Sequence, residues 1–226
     1  MVKNGQEVFL TKSNFDISEI CANSLFIKQN DLHKFVSRGG LKLEAALKHL
    51  KLDVENMQVL DVGQSTGGFT DCLLQNKVKS VVGIDVGQEQ LHKKLRNHLK
   101  VTFFESLHVN QLAISQNFLQ SVPVAGFDLI VADVSFISLT KVMSHLNPYL
   151  RNKGLFLFLV KPQFELDSNA LDKNGIVKDE KNYSIVQNQV QAEAIQVFGQ
   201  VKDYFKSELQ GKDGNQEFFI YGQKQS

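Results

Sequence analysis

The sequence predicts a doubly wound α/β fold: a mostly parallel, seven-stranded, Rossmann-like sheet that ends in an antiparallel hairpin. Three observations carry this expectation. From Ser37 onward, short runs of Val, Ile, Leu and Phe alternate with helical stretches, the pattern of strands buried on both faces. A glycine cluster, Gly63, Gly67 and Gly68, follows the first of those runs. The chain then closes with two strand-like segments around the turn sequence GKDG at 211–214.

The elements follow in order. Ser37 is placed to cap a helix running to about Leu50, with Leu43, Ala46, Leu47 and Leu50 at helical spacing. MQVLDV reads as a strand, and Gly68 opens a helix to about Asn76. SVVGIDV is a second strand, 88–97 a helix, and VTFFE a third strand. An irregular helical stretch to about Leu119 precedes FDLIVADV, helix 138–150 and GLFLFLV. Such alternation implies right-handed crossovers between parallel strands. After Lys161, PQFELDSNALDKNGIVKDEK has little periodicity and is longer than an ordinary connection. Helix 182–198 carries Val186, Val190, Ala194 and Val197 on one face, and VKDYFKSEL with QEFFIYGQ forms the final hairpin. Residues 1–35 differ: NGQ at 4–6 is a turn signal, and EVFLT and SLFIK have strand character, too little to bury a core alone.

Composition excludes several classes. With 42% hydrophobic residues the chain can pack a core, yet no run approaches the roughly 18 apolar residues that span a bilayer. The start, MVKNGQEVFLTK, lacks the apolar core of a secretory signal, and Cys21 and Cys72 lie far apart, so a reduced, cytoplasmic protein is expected. The net charge of +1 says nothing for or against nucleic acid, because a basic patch hides easily in a neutral total. Two basic stretches stand out: Lys34, Arg38, Lys42, Lys48 and Lys51, and His92, Lys93, Lys94, Arg96, His98 and Lys100. Taken singly, each reads as a solvated helix face. The six histidines show no metal-ligand spacing, so no metal is expected.

VLDVGQSTGG sets its glycines between a strand and a helix, where the backbone can pass close to a ligand and free N–H groups face it. Ser65 breaks the G-x-G-x-x-G fingerprint of dinucleotide sites. The spacing suits a ligand with an amino-acid end and no pyrophosphate, whose ammonium Asp61 could receive. Asp85, ending the next strand, is placed to accept ribose hydroxyls. With the hairpin, this favours a methyl donor over a dinucleotide. Asp133, Lys161 and Glu217 lie at or beside strand ends, where open α/β sheets put their chemistry. For any one of them, a strand meeting water is the alternative.

SRGGLKL, DVGQSTGGFTDCLL, IDVGQEQL, KLRN, ADVSFISL and VKPQFE together resemble the TlyA-type proteins, often called hemolysins, over the length from about Val2 to the C-terminus. That resemblance implies a class I S-adenosylmethionine-dependent methyltransferase, related to the FtsJ group, that methylates a ribose 2′-hydroxyl of ribosomal RNA, with cytidine as its target. It places the family's Lys-Asp-Lys-Glu set on Lys42, Asp133, Lys161 and Glu217. It places the cofactor on Asp61, Gly63, Ser65, Gly67, Gly68, Phe69, Asp85, Val86, His108 and Asp133, and RNA on Lys34, Arg38 and Lys42. Residues 1–35 become the remnant of a small β-rich RNA-binding domain and linker, without the two helices that precede those strands in the family; 36–226 become the methyltransferase domain. Gln64 stands where the family carries a small residue, and His108 where it tends to carry Asn.

A lysine acts as a base only when neutral, which burial and a neighbouring positive charge favour. Lys161 is therefore expected to be the general base and Lys42 its cationic neighbour, with Asp133 aligning the lysine and hydroxyl and Glu217 orienting the network. The expected partners are ribosomal RNA or ribosomal subunits. Two alternatives are a non-catalytic RNA-binding protein descended from such an enzyme and a hemolysin-like membrane-active protein, though no long amphipathic element is visible for the latter.

Overall fold

The structure, a computed structural model, describes residues 2–3, 6–7 and 34–225. Strands β1 (Val2–Lys3) and β2 (Gln6–Glu7) pair antiparallel. Beyond Glu7, the strand character expected of EVFLT and SLFIK lies outside the described residues.

Seven strands build the main sheet: β3 (Gln58–Val62), β4 (Ser80–Ile84), β5 (Val101–Phe104), β6 (Phe127–Ala132), β7 (Leu150–Val160), β8 (Gly199–Lys206) and β9 (Phe218–Lys224). Their order is β5-β4-β3-β6-β7-β9-β8, and the first five run parallel. β9 is antiparallel to both neighbours, so the last strand inserts between β7 and β8. Side-chain chemistry explains the insertion. Phe219 and Ile220 of β9 are both buried, on opposite faces, whereas β8 has no fully buried residue and takes the edge.

Alternation along each strand divides the core in two. Val59, Val81, Leu129, Val131, Leu157 and Leu159 face α1 (Arg38–Leu50) and α2 (Gly68–Gln75). Leu60, Val82, Ile130, Phe156, Phe158 and Ile220 face the other way, towards α4 (Gln116–Ser121), α5 (Leu139–Leu146) and α7 (Lys181–Phe198). Period-two burial on both faces requires continuous apolar runs, which is what the sequence carries.

Two helices and one aperiodic segment differ from expectation. The helix expected over 88–97 shrinks to α3 (Lys93–Arg96). Glu89 adopts a positive φ of 53°, and the Glu105 carboxylate accepts the backbone N–H groups of Gln90 and Leu91, so a side chain replaces the helical ladder there. The helix expected over 138–150 ends at Leu146 and tightens into a 3₁₀ turn, Asn147–Tyr149, at Pro148. The aperiodic segment after Lys161 contains a single turn, α6 (Pro162–Glu165), and a 3₁₀ turn, Ser168–Ala170.

The order of connections reverses at β3, which pairs with β4 on one side and β6 on the other. In open α/β sheets ligands bind at the carboxyl ends of such strands. Phe158 anchors the layer beneath: it is fully buried and stacks on Phe156 at 5.2 Å, with Phe198 at 5.9 Å. Phe158→Ala is expected to cost about 3–5 kcal/mol in urea unfolding, the usual range for a buried aromatic truncated in a core.

Candidate active site

The loop from Gly63 to Gly67 crosses the top of the sheet. Gly63 has φ +78°, and a Cβ there would lie 2.5 Å from the carbonyl oxygen of Asp133. Only a residue without a side chain lets the loop pass so close to the tip of β6. Gly67, at φ +92°, is packed from below: a Cβ would meet Leu95 at 2.3 Å. Asp85 fixes the far side of the loop. Its two carboxylate oxygens accept the N–H groups of Ser65 and Gly87, each at 2.7 Å.

Two cavities open over these strand ends. The larger, about 470 Å³, is walled by the start of α1, the glycine loop and the segments after β6 and β7. The smaller, about 380 Å³, is lined by Asp85, Val86 and His108 among others. Gly63, Ser65, Asp133, Ser135 and Phe136 border both, so the two form one cleft across the switch point.

Four charged side chains meet in the larger cavity. Lys161 Nζ lies 2.6 Å from Asp133 Oδ1 and donates to Ser135 Oγ at 2.8 Å. Lys42, buried on α1, donates to the equally buried Glu217 at the entrance to β9. Burial pushes the Glu217 carboxyl above its ordinary range, while the adjoining Lys42, and then Lys161, pull it back. Lys161, expected to have Lys42 as its cationic neighbour, contacts Asp133, and Lys42 contacts Glu217. The group is two ion pairs side by side, neutral as a whole.

Most of the sequence-expected site residues converge here. Gly63, Ser65 and Asp133 line both cavities; Gly68, Phe69, Arg38, Lys42, Lys161 and Glu217 line the larger; Asp85, Val86 and His108 line the smaller. Asp61, Gly67 and Lys34 line neither. Asp61 is sealed beneath the loop, with Thr70 donating to its Oδ2 at 2.6 Å and its Oδ1 unpaired. Lys34 pairs with Glu44, which Lys48 also approaches. The second basic stretch stays largely exposed, but three of its cations are engaged: Lys94 pairs with Asp71, Arg96 with Glu105, and Lys100 donates to the Val78 carbonyl. Among the described residues no cluster of three or more His, Cys, Asp or Glu is placed to hold a metal, and no helix is long and apolar enough to cross a membrane.

Comparison with known proteins shows the family. The profile of FtsJ-like methyltransferases matches residues 35–224. The chain belongs to the FtsJ-like methyltransferase family. Hemolysin A of Brachyspira hyodysenteriae is 37% identical over 83% of this chain and 76% of its own length. The 23S rRNA (cytidine-2′-O)-methyltransferase TlyA of Campylobacter jejuni is 33% identical over 83% and 70% respectively. A solved structure described as a hemolysin from Lactococcus lactis superposes with a TM-score of 0.77 at 37% identity, over 85% of this chain and 89% of that one.

Within this FtsJ-like site, sequence reasoning missed three contributors. Phe136 is 91% exposed on the rim between the cavities, holds a positive φ of 63°, and leans on Phe164 at 5.2 Å. A bulky residue in that backbone region is strained and seldom without reason. Glu165 reaches from α6 to the start of α5, accepting Leu139 N–H at 2.7 Å and Ser138 Oγ–H at 2.6 Å; it ties the segment bearing Lys161 to the one bearing Asp133. Asn215, which is buried, accepts from Val177 N–H and donates to the Gly175 carbonyl, holding the loops after α6 and β8 together at the larger cavity. Phe136 and Glu165 stood inside the motifs ADVSFISL and VKPQFE and were the legible ones; Asn215 carried no signal.

The buried Asp61 makes the stability of this methyltransferase depend on pH. Burial, opposed by the Thr70 hydrogen bond and reinforced by Asp133 and Asp85, raises its carboxyl from an ordinary 3.8 to about 7. The folded chain therefore keeps a proton there that the unfolded chain has released. The stability so contributed is full below about 4 and is lost as pH rises through about 7. Asp61→Asn should remove this slope: the urea-unfolding difference between wild type and variant should change by at least about 1 kcal/mol between pH 5 and pH 8.

Proposed function

We propose that this methyltransferase transfers a methyl group from S-adenosylmethionine to a ribose 2′-hydroxyl of ribosomal RNA, with cytidine as the target nucleoside. One observation carries the reading. Asp133 borders both cavities and pairs with Lys161, which supports Lys161 as the base between a donor in the smaller cavity and an acceptor in the larger. The names of the relatives support the RNA and the cytidine.

The residues fit the donor. Gly63 and Ser65 of the loop line both cavities, and Asp85 retains acceptor lone pairs for ribose hydroxyls after its two backbone bonds. Val86, 66% exposed, offers an apolar surface to a purine, and His108 stands beside it. When bound, S-adenosylmethionine supplies an electrophilic methyl group on a sulfonium centre.

The chain's own groups then do the rest. Lys161, once it has released its own proton from the pair with Asp133, accepts the 2′-hydroxyl proton as the oxygen becomes the nucleophile. Asp133 and Ser135 hold its Nζ in place, and Lys42 with Glu217 forms a second fixed pair along the same wall. Much of the acceleration comes from positioning, since the donor is already activated. Arg38, on the rim, has its guanidinium against the Gln210 carbonyl and can also meet a phosphate. The exposed ring of Phe136 suits stacking on a base drawn out of its helix.

Three variants test this. In Lys161→Ala, transfer of labelled methyl to ribosomal RNA should fall more than tenfold, beyond ~1.4 kcal/mol, while calorimetry finds cofactor affinity within twofold of wild type. Activity surviving above a tenth would remove Lys161 from the role of base. Phe136→Ala should raise the RNA concentration for half-maximal rate about tenfold, in line with roughly 1–3 kcal/mol per stacked base, and Phe136→Tyr should restore it.

A further inference from the structure

Gln64 is a large amide in a loop otherwise made of small residues, and the structure gives it a defined place. Its side chain is buried and lies flat over β4: a Cβ on Gly83 would be 2.1 Å from the amide carbon and nitrogen. Gln64 Nε2 donates to Thr70 Oγ at 2.8 Å, and Thr70 Oγ donates to Asp61 Oδ2 at 2.6 Å. A hydroxyl has one proton. With that proton on Asp61, Thr70 can only accept from Gln64, and this fixes which end of the amide points inward. The other end, Oε1, makes no hydrogen bond with the described residues. Unlike Asp61 Oδ1, it is not sealed away, and Gln64 lines the larger cavity.

We propose that Gln64 Oε1 is the acceptor for the ammonium group at the amino-acid end of the methyl donor, a role the sequence suggested for Asp61. The inference rests on the S-adenosylmethionine reading given above. A donor whose nucleoside occupies the cavity of Asp85 and Val86 has its amino-acid tail directed past Gly63, and Gln64, Gly68 and Phe69 form the next part of the wall. The Asp61 carboxylate does not reach that wall. Above pH about 7, where Asp61 is ionised, its charge acts through the Thr70 hydroxyl, polarising the amide so that the exposed oxygen carries more negative charge than a free carboxamide. The fold thereby keeps a buried anion out of water while presenting its effect to a cation.

The test is calorimetry on the whole chain at pH 8, above the raised Asp61 value of about 7, so that the hydrogen-bond direction is fixed. Two probes are titrated: S-adenosylmethionine, and 5′-methylthioadenosine, which lacks the amino-acid end. Gln64→Leu, which keeps bulk and removes the amide, should weaken S-adenosylmethionine at least tenfold and leave 5′-methylthioadenosine within twofold. Should the leucine variant fail to fold, Thr70→Val keeps shape while freeing the amide to turn, and should give at least a threefold loss of the same selective kind. A wild type that binds S-adenosylmethionine, with variants that bind it equally well, overturns the assignment alone. So does an equal loss for both probes, which would mark Gln64 as shaping the loop. A wild type that binds neither probe overturns the methyl-donor reading and this inference with it.

Discussion

The close passage of Gly63 over the Asp133 carbonyl governs the site. A Cβ at 63 would stand 2.5 Å from that oxygen, so the glycine loop can bridge the tips of β3 and β6 only because the residue has no side chain. The passage makes Asp133 common to two cavities: its backbone meets the loop, and its carboxylate reaches Lys161. Were the loop lifted by one side chain, the cavities would remain but their shared wall would move.

Around that point the protein places charge in pairs. A buried ammonium or carboxylate alone is costly, and a pair repays this only when geometry is good and further hydrogen bonds are made. Lys42 with Glu217 and Lys161 with Asp133 satisfy this, the second with Ser135 as an added acceptor. The pairs come from distant parts of the chain: α1 meets the entrance of β9, and the end of β7 meets the end of β6. Glu165 acts on the same scale, using both carboxylate oxygens to cap α5 from the neighbouring segment. Asp61 is the exception. It is buried with one oxygen unpaired, and its raised proton affinity is the physical consequence.

Much of this was legible beforehand because it depends on local periodicity. The continuous apolar runs required strands covered on both faces, and β3, β4, β6 and β7 are buried accordingly. Where expectation missed, a tertiary partner intervened: the helix over 88–97 lost its first turns to the Glu105 carboxylate. The basic stretches illustrate the same limit. The sequence showed two basic clusters, but Glu44, Asp71 and Glu105 already face Lys34, Lys48, Lys94 and Arg96.

By itself the sequence determined the strand–helix alternation, the glycine turn and the residue types at each strand end, since these follow from period, backbone freedom and side-chain chemistry within short spans. Only the tertiary structure decided which charges meet, that β9 enters between β7 and β8, and that Gln64 rather than Asp61 borders the cavity. Those outcomes depend on distances between residues up to 175 positions apart, and on which side chain reaches the surface first. No local pattern encodes either.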